Sequence, residues 1–151
     1  MAEIESRQAA KVAARSKMSP NEAYGKKRVI VITSPATAAW AQNDTIASPQ
    51  LLPAGTRFTC NSFASHAAMG ASVTLDVGIR DVNGDAIDAD GIADGIDVSA
   101  AGRSALNNGA LVAAGAEYVT TEPCYVYATL GGGDPTDDAQ IRIEVEVVTP
   151  D

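Results

Sequence analysis

Between Ala71 and Arg80 apolar and polar residues alternate without a break. Val73, Leu75, Val77 and Ile79 fall on one side, and Ser72, Thr74, Asp76, Gly78 and Arg80 on the other. A period of two over that length marks a half-buried antiparallel strand. It runs into Asp81-Val82-Asn83-Gly84-Asp85, where Asn83-Gly84 predicts a hairpin with a type I′ turn, which needs positive φ at both central residues. The same alternation returns near the end of the chain, with Ile141, Ile143, Val145 and Val147 inward and Gln140, Arg142, Glu144 and Glu146 outward. Such a chain must build a sheet with one face buried.

The segments between these two read as further strands punctuated by Gly, Pro, Asn and Asp. Arg28 to Ser34 is β-branched and apolar at most positions, which predicts a strand covered on both faces. Strand segments are also expected within Thr37 to Ala47, Thr56 to Phe63, Ala110 to Val112, Ala116 to Thr121 and the run after Pro123, where Val126, Ala128 and Leu130 oppose Tyr125, Tyr127 and Thr129. Ser99 to Asn108 predicts at most one or two helical turns, and Gly131 to Gly133 a hairpin tip. Seven or eight short strands and no long helix predict an all-β fold, an antiparallel β-sandwich or jelly roll. At 151 residues the chain suits one such domain.

Charge divides the chain unevenly. Residues 1–28 hold seven of the eleven basic residues, Arg7, Lys11, Arg15, Lys17, Lys26, Lys27 and Arg28, against three acidic ones. The rest of the chain has four basic residues against sixteen acidic ones, and the whole carries −8. Residues 1–19 are good helix formers without Gly or Pro, but their apolar content is mostly alanine, so a helix there buries little area unaided. The expectation is an extended or partly helical basic arm over 1–27, ordered by a partner, joined to a β-sandwich body over 28–151. A strongly acidic body repels polyanions, so the arm is expected to dock on acidic protein and not on nucleic acid. No run approaches the ~20 apolar residues of a membrane helix, and the N-terminus has no apolar signal core, which predicts synthesis in a cytoplasm.

Candidate chemistry is sparse. The D-x-N-x-D start at Asp81 resembles a calcium loop, but in that register Ala86 stands where Gly is needed and Ile92 where a bidentate Glu belongs. The following acids, Asp85, Asp88, Asp90, Asp94 and Asp97, are expected to stay wet along a loop pinned by Ile92 and Ile96. No cofactor, metal or catalytic residue is expected. Cys60 and Cys124 match no metal spacing and are expected to be buried free thiols. His66, the only histidine, is expected in a loop without a partner, and no GxSxG elbow accompanies it.

The succession LPAGTRF (Leu51 to Phe58), ASVTLDVGIRDVNGDAID (Ala71 to Asp88), IDVSAAG (Ile96 to Gly102), YVYATLGGG (Tyr125 to Gly133) and QIRIEVEVV (Gln140 to Val148) resembles head decoration, or cement, proteins of tailed bacteriophages, which have a jelly-roll body and an N-terminal arm. The resemblance implies a non-enzymatic virion protein on the capsid exterior that clamps adjacent major capsid protein subunits and self-associates, as a trimer more than a dimer. The basic residues of the arm, with Asp85, Asp88, Asp90, Asp94 and Asp97 as a partner-facing acidic edge, are the expected contact residues. The alternative is a carbohydrate- or receptor-binding module of a phage tail or fibre, with Tyr125 and Tyr127 as its aromatic platform.

Overall fold

The computed structural model describes residues 11, 13–17, 25–115 and 118–150. Among the described residues its strands are β1 (Lys26–Thr33), β2 (Asp44–Ala47), β3 (Arg57–Phe58), β4 (Phe63–His66), β5 (Thr74–Arg80), β6 (Ala86–Asp97), β7 (Gly102–Ala105), β8 (Tyr125–Gly131) and β9 (Ile141–Thr149), and Ala110–Ala113 form a short helix, α1. They form two antiparallel sheets, one in the order β1-β9-β4-β7 and the other β2-β8-β5-β6, and β3 adds two residues beside β9. Eight strands alternating between two facing sheets in this order make a jelly roll.

The core lies between the sheets and follows the alternation. Val73, Leu75, Val77 and Ile79 have no exposed surface, and neither do Ile143, Val145 and Val147. β8 contributes Val126, Ala128 and Leu130 to the same cluster. Trp40 sits at the margin, its indole N–H donating to the Ala139 carbonyl at 3.0 Å.

Several local expectations are corrected. The 81–85 hairpin forms, but of its two central residues only Gly84 takes positive φ, +92°. The Asp81 carboxylate accepts from the backbone N–H of Asn83 at 2.8 Å and of Asp85 at 2.9 Å, so it organises a turn closed by Gly84 N–H to Asp81 C=O at 3.2 Å. That is the three-residue loop with a glycine bulge, which needs one positive φ instead of two. Gly102 to Ala105, expected helical, is strand β7 because its backbone completes the ladder of β4. Ala110 to Val112, expected as a strand, lies in α1. Residues 118–120 are in no strand; Thr120 instead donates its N–H to the Thr56 carbonyl and accepts from the Gly55 N–H at its own. Ala116 and Glu117 lie outside the described residues. β1 begins at Lys26 and not at Arg28, and its outer face is open: Val29 is 52% and Val31 49% exposed.

The acidic segment is also a strand and not a loop. β6 has twelve residues against seven in β5, and its pairing slips between Leu75 and Val77, between Val77 and Ile79, and between Ile79 and Arg80. The extra residues bulge over β5 at Gly78, where a methyl group would overlap the Asp88 carbonyl. Gly109 in turn packs on the Gly91 backbone. Gly78→Ala is therefore expected to lower stability by about 3 kcal/mol, read as a drop in the urea midpoint; an unchanged midpoint would mean that β6 does not cross β5 there.

Candidate interaction surfaces

The acidic edge is built by these bulges. Gly95, at φ +60°, donates its N–H to Asp76 Oδ1 at 2.7 Å, which turns Asp94 and Asp97 outward. Asp85, Asp90, Asp94 and Asp97 are exposed and Asp88 is half-buried. The backbone of β6 is closed off by its own chain. Asn108 accepts from Asp94 N–H at 2.9 Å and donates to Asp94 C=O at 2.7 Å, and Gly109 N–H donates to Ile92 C=O at 3.1 Å. From Ile92 to Asp94 the edge therefore offers no free ladder.

Two of these acids have shifted titrations. Burial pushes the Asp88 carboxyl up, and the neighbouring Asp90 side chain adds to the rise. Asp97 is held below the ordinary carboxylate value, first by the Ser99 side chain and then by the Ser99 backbone N–H, which donates at 2.9 Å. A carboxylate whose folded pKa is raised destabilises the fold wherever it is charged, and that penalty disappears as pH falls below its unfolded value. Asp88→Asn is accordingly expected to raise the denaturation midpoint at pH 7, the gap to wild type closing as pH falls below the ordinary value of 3.8. A lower midpoint at pH 7 would show that the Asp88 charge is compensated.

The basic residues fall into two groups. Lys26, Lys27 and Arg28 belong to β1, where Lys26 pairs with Thr149 and Arg28 with Val147. Lys27 Nζ lies 3.2 Å from Glu146 on β9, so it folds back over its own sheet. Thr59, then Asn61 and Lys27, hold the Glu146 carboxyl below its ordinary value. Lys11, Arg15 and Lys17 precede the body. The backbone at Lys11 is helical and stops at Arg15, φ +54°, with Ser16 N–H donating to Lys11 C=O at 2.8 Å, a left-handed helix stop. Arg7 lies outside the described residues.

Beside β1 the surface mixes exposed apolar and polar side chains. Leu51 is as exposed as Val31, and a groove of about 590 Å³ runs between Arg28, Val29 and Ile30 on one side and Gln50, Leu51, Leu52 and Pro53 on the other, with Thr149 at one end. Only the β-branched character of 28–34 pointed to this surface, and it pointed to a covered one.

The remaining candidates do not converge. His66 is the last residue of β4, buried, with Nε2 3.0 Å from Ser104 Oγ and Nδ1 3.1 Å from the Ala67 carbonyl. The imidazole is satisfied at both nitrogens, contrary to the expectation of an unpartnered loop residue. Cys124 is buried and burial pushes its thiol up to about 11, whereas Cys60 is exposed because β3 ends at Phe58. Tyr127 is buried beneath the Arg80 guanidinium, 5.5 Å from its ring centroid, so the two tyrosines make no open stacking platform. Among the described residues no three His, Cys, Asp or Glu side chains group as metal ligands. The Asp81 carboxylate is already engaged by its own turn.

No protein-family model matches the chain, and no curated protein matches it in sequence. Among solved structures it is similar to a chain of the cyanophage Pam1 capsid asymmetric unit, with a TM-score of 0.59 over 99% of this chain and 100% of that one. In fold, the chain resembles a phage capsid chain. Sequence identity is 15%, so the likeness is one of architecture over the full length.

Proposed function

We propose that this chain is a non-enzymatic virion structural protein that binds the outer surface of a phage capsid and cements adjacent major capsid protein subunits. The observation that carries this reading is the likeness in fold to a chain of a capsid asymmetric unit, which spans 99% of this chain and 100% of that one. Physical chemistry supports it independently. A jelly roll with two separately charged surfaces is a platform, and a basic arm with few large apolar residues adds contact area on a partner. Repetition of the partner on a lattice turns weak single contacts into firm retention.

In this reading Arg7, Lys11, Arg15, Lys17, Lys26, Lys27 and Arg28 meet acidic protein surface, and Asp85, Asp88, Asp90, Asp94 and Asp97 receive a basic arm, their own or a neighbour's. Such contacts between exposed charges weaken as the Debye length shrinks from ~10 Å at 0.1 M to ~3 Å at 1 M salt. Co-sedimentation with shells that lack the protein is expected to saturate at a fixed ratio to the major capsid protein and to release bound chain at high salt. Binding that never saturates, or that is indifferent to salt, would count against the charged contacts.

A further inference from the structure

We propose that β1 is a strand-pairing interface through which two copies of this chain join, antiparallel and centred on Ile30, into one continuous sheet. The four sheet ends differ in how well they are protected. β2 and β7 are only four residues long. β6 is bulged, acidic and closed by Asn108 and Gly109. β1 has eight residues in unbroken register with β9, and among the described residues no strand pairs with its other edge. Soluble proteins shield edges with short strands, bulges or covering segments, because an exposed regular edge is a template for another strand. Among the described residues β1 alone is long, unbulged and uncovered, and its charges stand only at its first three positions, leaving Val29 to Thr33 uncharged.

A second copy suits this edge for reasons of charge and face. The chain carries −8, but β1 holds Lys26, Lys27 and Arg28 in its first three positions, so two β1 strands must pair with their basic ends apart. In an antiparallel pair, directly opposite residues share a face, so a two-fold axis normal to the sheet must pass through a residue and not between two. With the axis at Ile30, Val29 of each copy faces the partner's Val31, Arg28 faces the partner's Ile32, and Lys27 faces the partner's Thr33. No like charges stand opposite each other, which would be destabilising. Four half-exposed valines meet on the outer face. A parallel pairing would instead stack the three basic residues on themselves. The inferred unit is a dimer, in place of the trimer that the resemblance favours.

Sedimentation of the full chain needs no capsid, so this proposal is tested apart from the capsid reading. The wild type is expected to sediment as a dimer, and V29K/V31K, two exposed changes, to weaken that dimer by about tenfold or more while keeping the wild-type circular dichroism. Register is read by cross-linking in a Cys60→Ser background. Directly opposite residues lie about 4.5–5.5 Å apart between Cα atoms, within disulfide reach. Mixing V29C with V31C should yield at least about tenfold more oxidised dimer than either variant alone. A wild-type monomer, a V29K/V31K dimer as tight as wild type, or a mixture that cross-links no better than its parts would each overturn the proposal.

Discussion

Leu75→Asp is expected to abolish the folded body. Leu75 has no exposed surface and lies in β5, opposite Ile96 on β6 and Leu130 on β8. The substitution forfeits roughly 1.5–3 kcal/mol of apolar burial and places a carboxylate where no cation of either sheet's inner face can pair with it. An uncompensated buried charge costs about 3–5 kcal/mol more, which together reaches the 5–15 kcal/mol or so that holds a domain of this size. The variant should show neither dispersed amide resonances nor a cooperative melting transition. A Leu75→Asp protein that melts near the wild-type temperature would mean that β5 is not the centre of its sheet.

Deletion of residues 1–25 is expected to have the opposite profile. Among the described residues the strands begin at Lys26, so the truncated chain keeps each of them and the core they enclose. Its unfolding free energy from urea titration should stay within about 1 kcal/mol of the full chain's, as for changes that leave the core intact. Attachment to shells should fall by on the order of a hundredfold or more, because removing one of two linked contacts removes the gain from multivalency. Truncated protein that still decorates shells at full occupancy would assign attachment to the body alone.

The elements legible in the sequence are those whose burial is strictly one-sided. β5 and β9 follow from their alternation, and their inward residues are the ones the structure buries. β7 left no such trace, since Gly102, Arg103, Ser104 and Ala105 owe their strand geometry to β4 and not to any pattern of their own. β6 was hidden for another reason: Gly91 and Gly95 allow bulges that break the period of two, so a strand reads as a loop. The turn at Asp81 was misjudged because a side-chain carboxylate took over backbone donors, a competition the Asn-Gly signal does not reveal. His66 and Ser104 are brought together by pairing of β4 with β7, 38 positions apart, and no local signal announces it.

The surfaces divide in the same way. That Asp85, Asp90, Asp94 and Asp97 stay wet was legible from their number and from the absence of any basic neighbour. That Asp88 is partly withdrawn was not, because it depends on where the bulge folds over Gly78. The open outer face of β1 was likewise invisible, since Val29 and Val31 are as apolar as core residues and only the sheet order places them at a border.

The most direct test of the capsid role is an electron-microscopy map of the intact particle that carries this protein. The account predicts jelly-roll density on the outer surface of the shell, bridging adjacent major capsid protein subunits, with the segment before Lys26 running across a neighbour. Density for the chain inside the shell or on the tail, or a particle with none of it, would contradict the account.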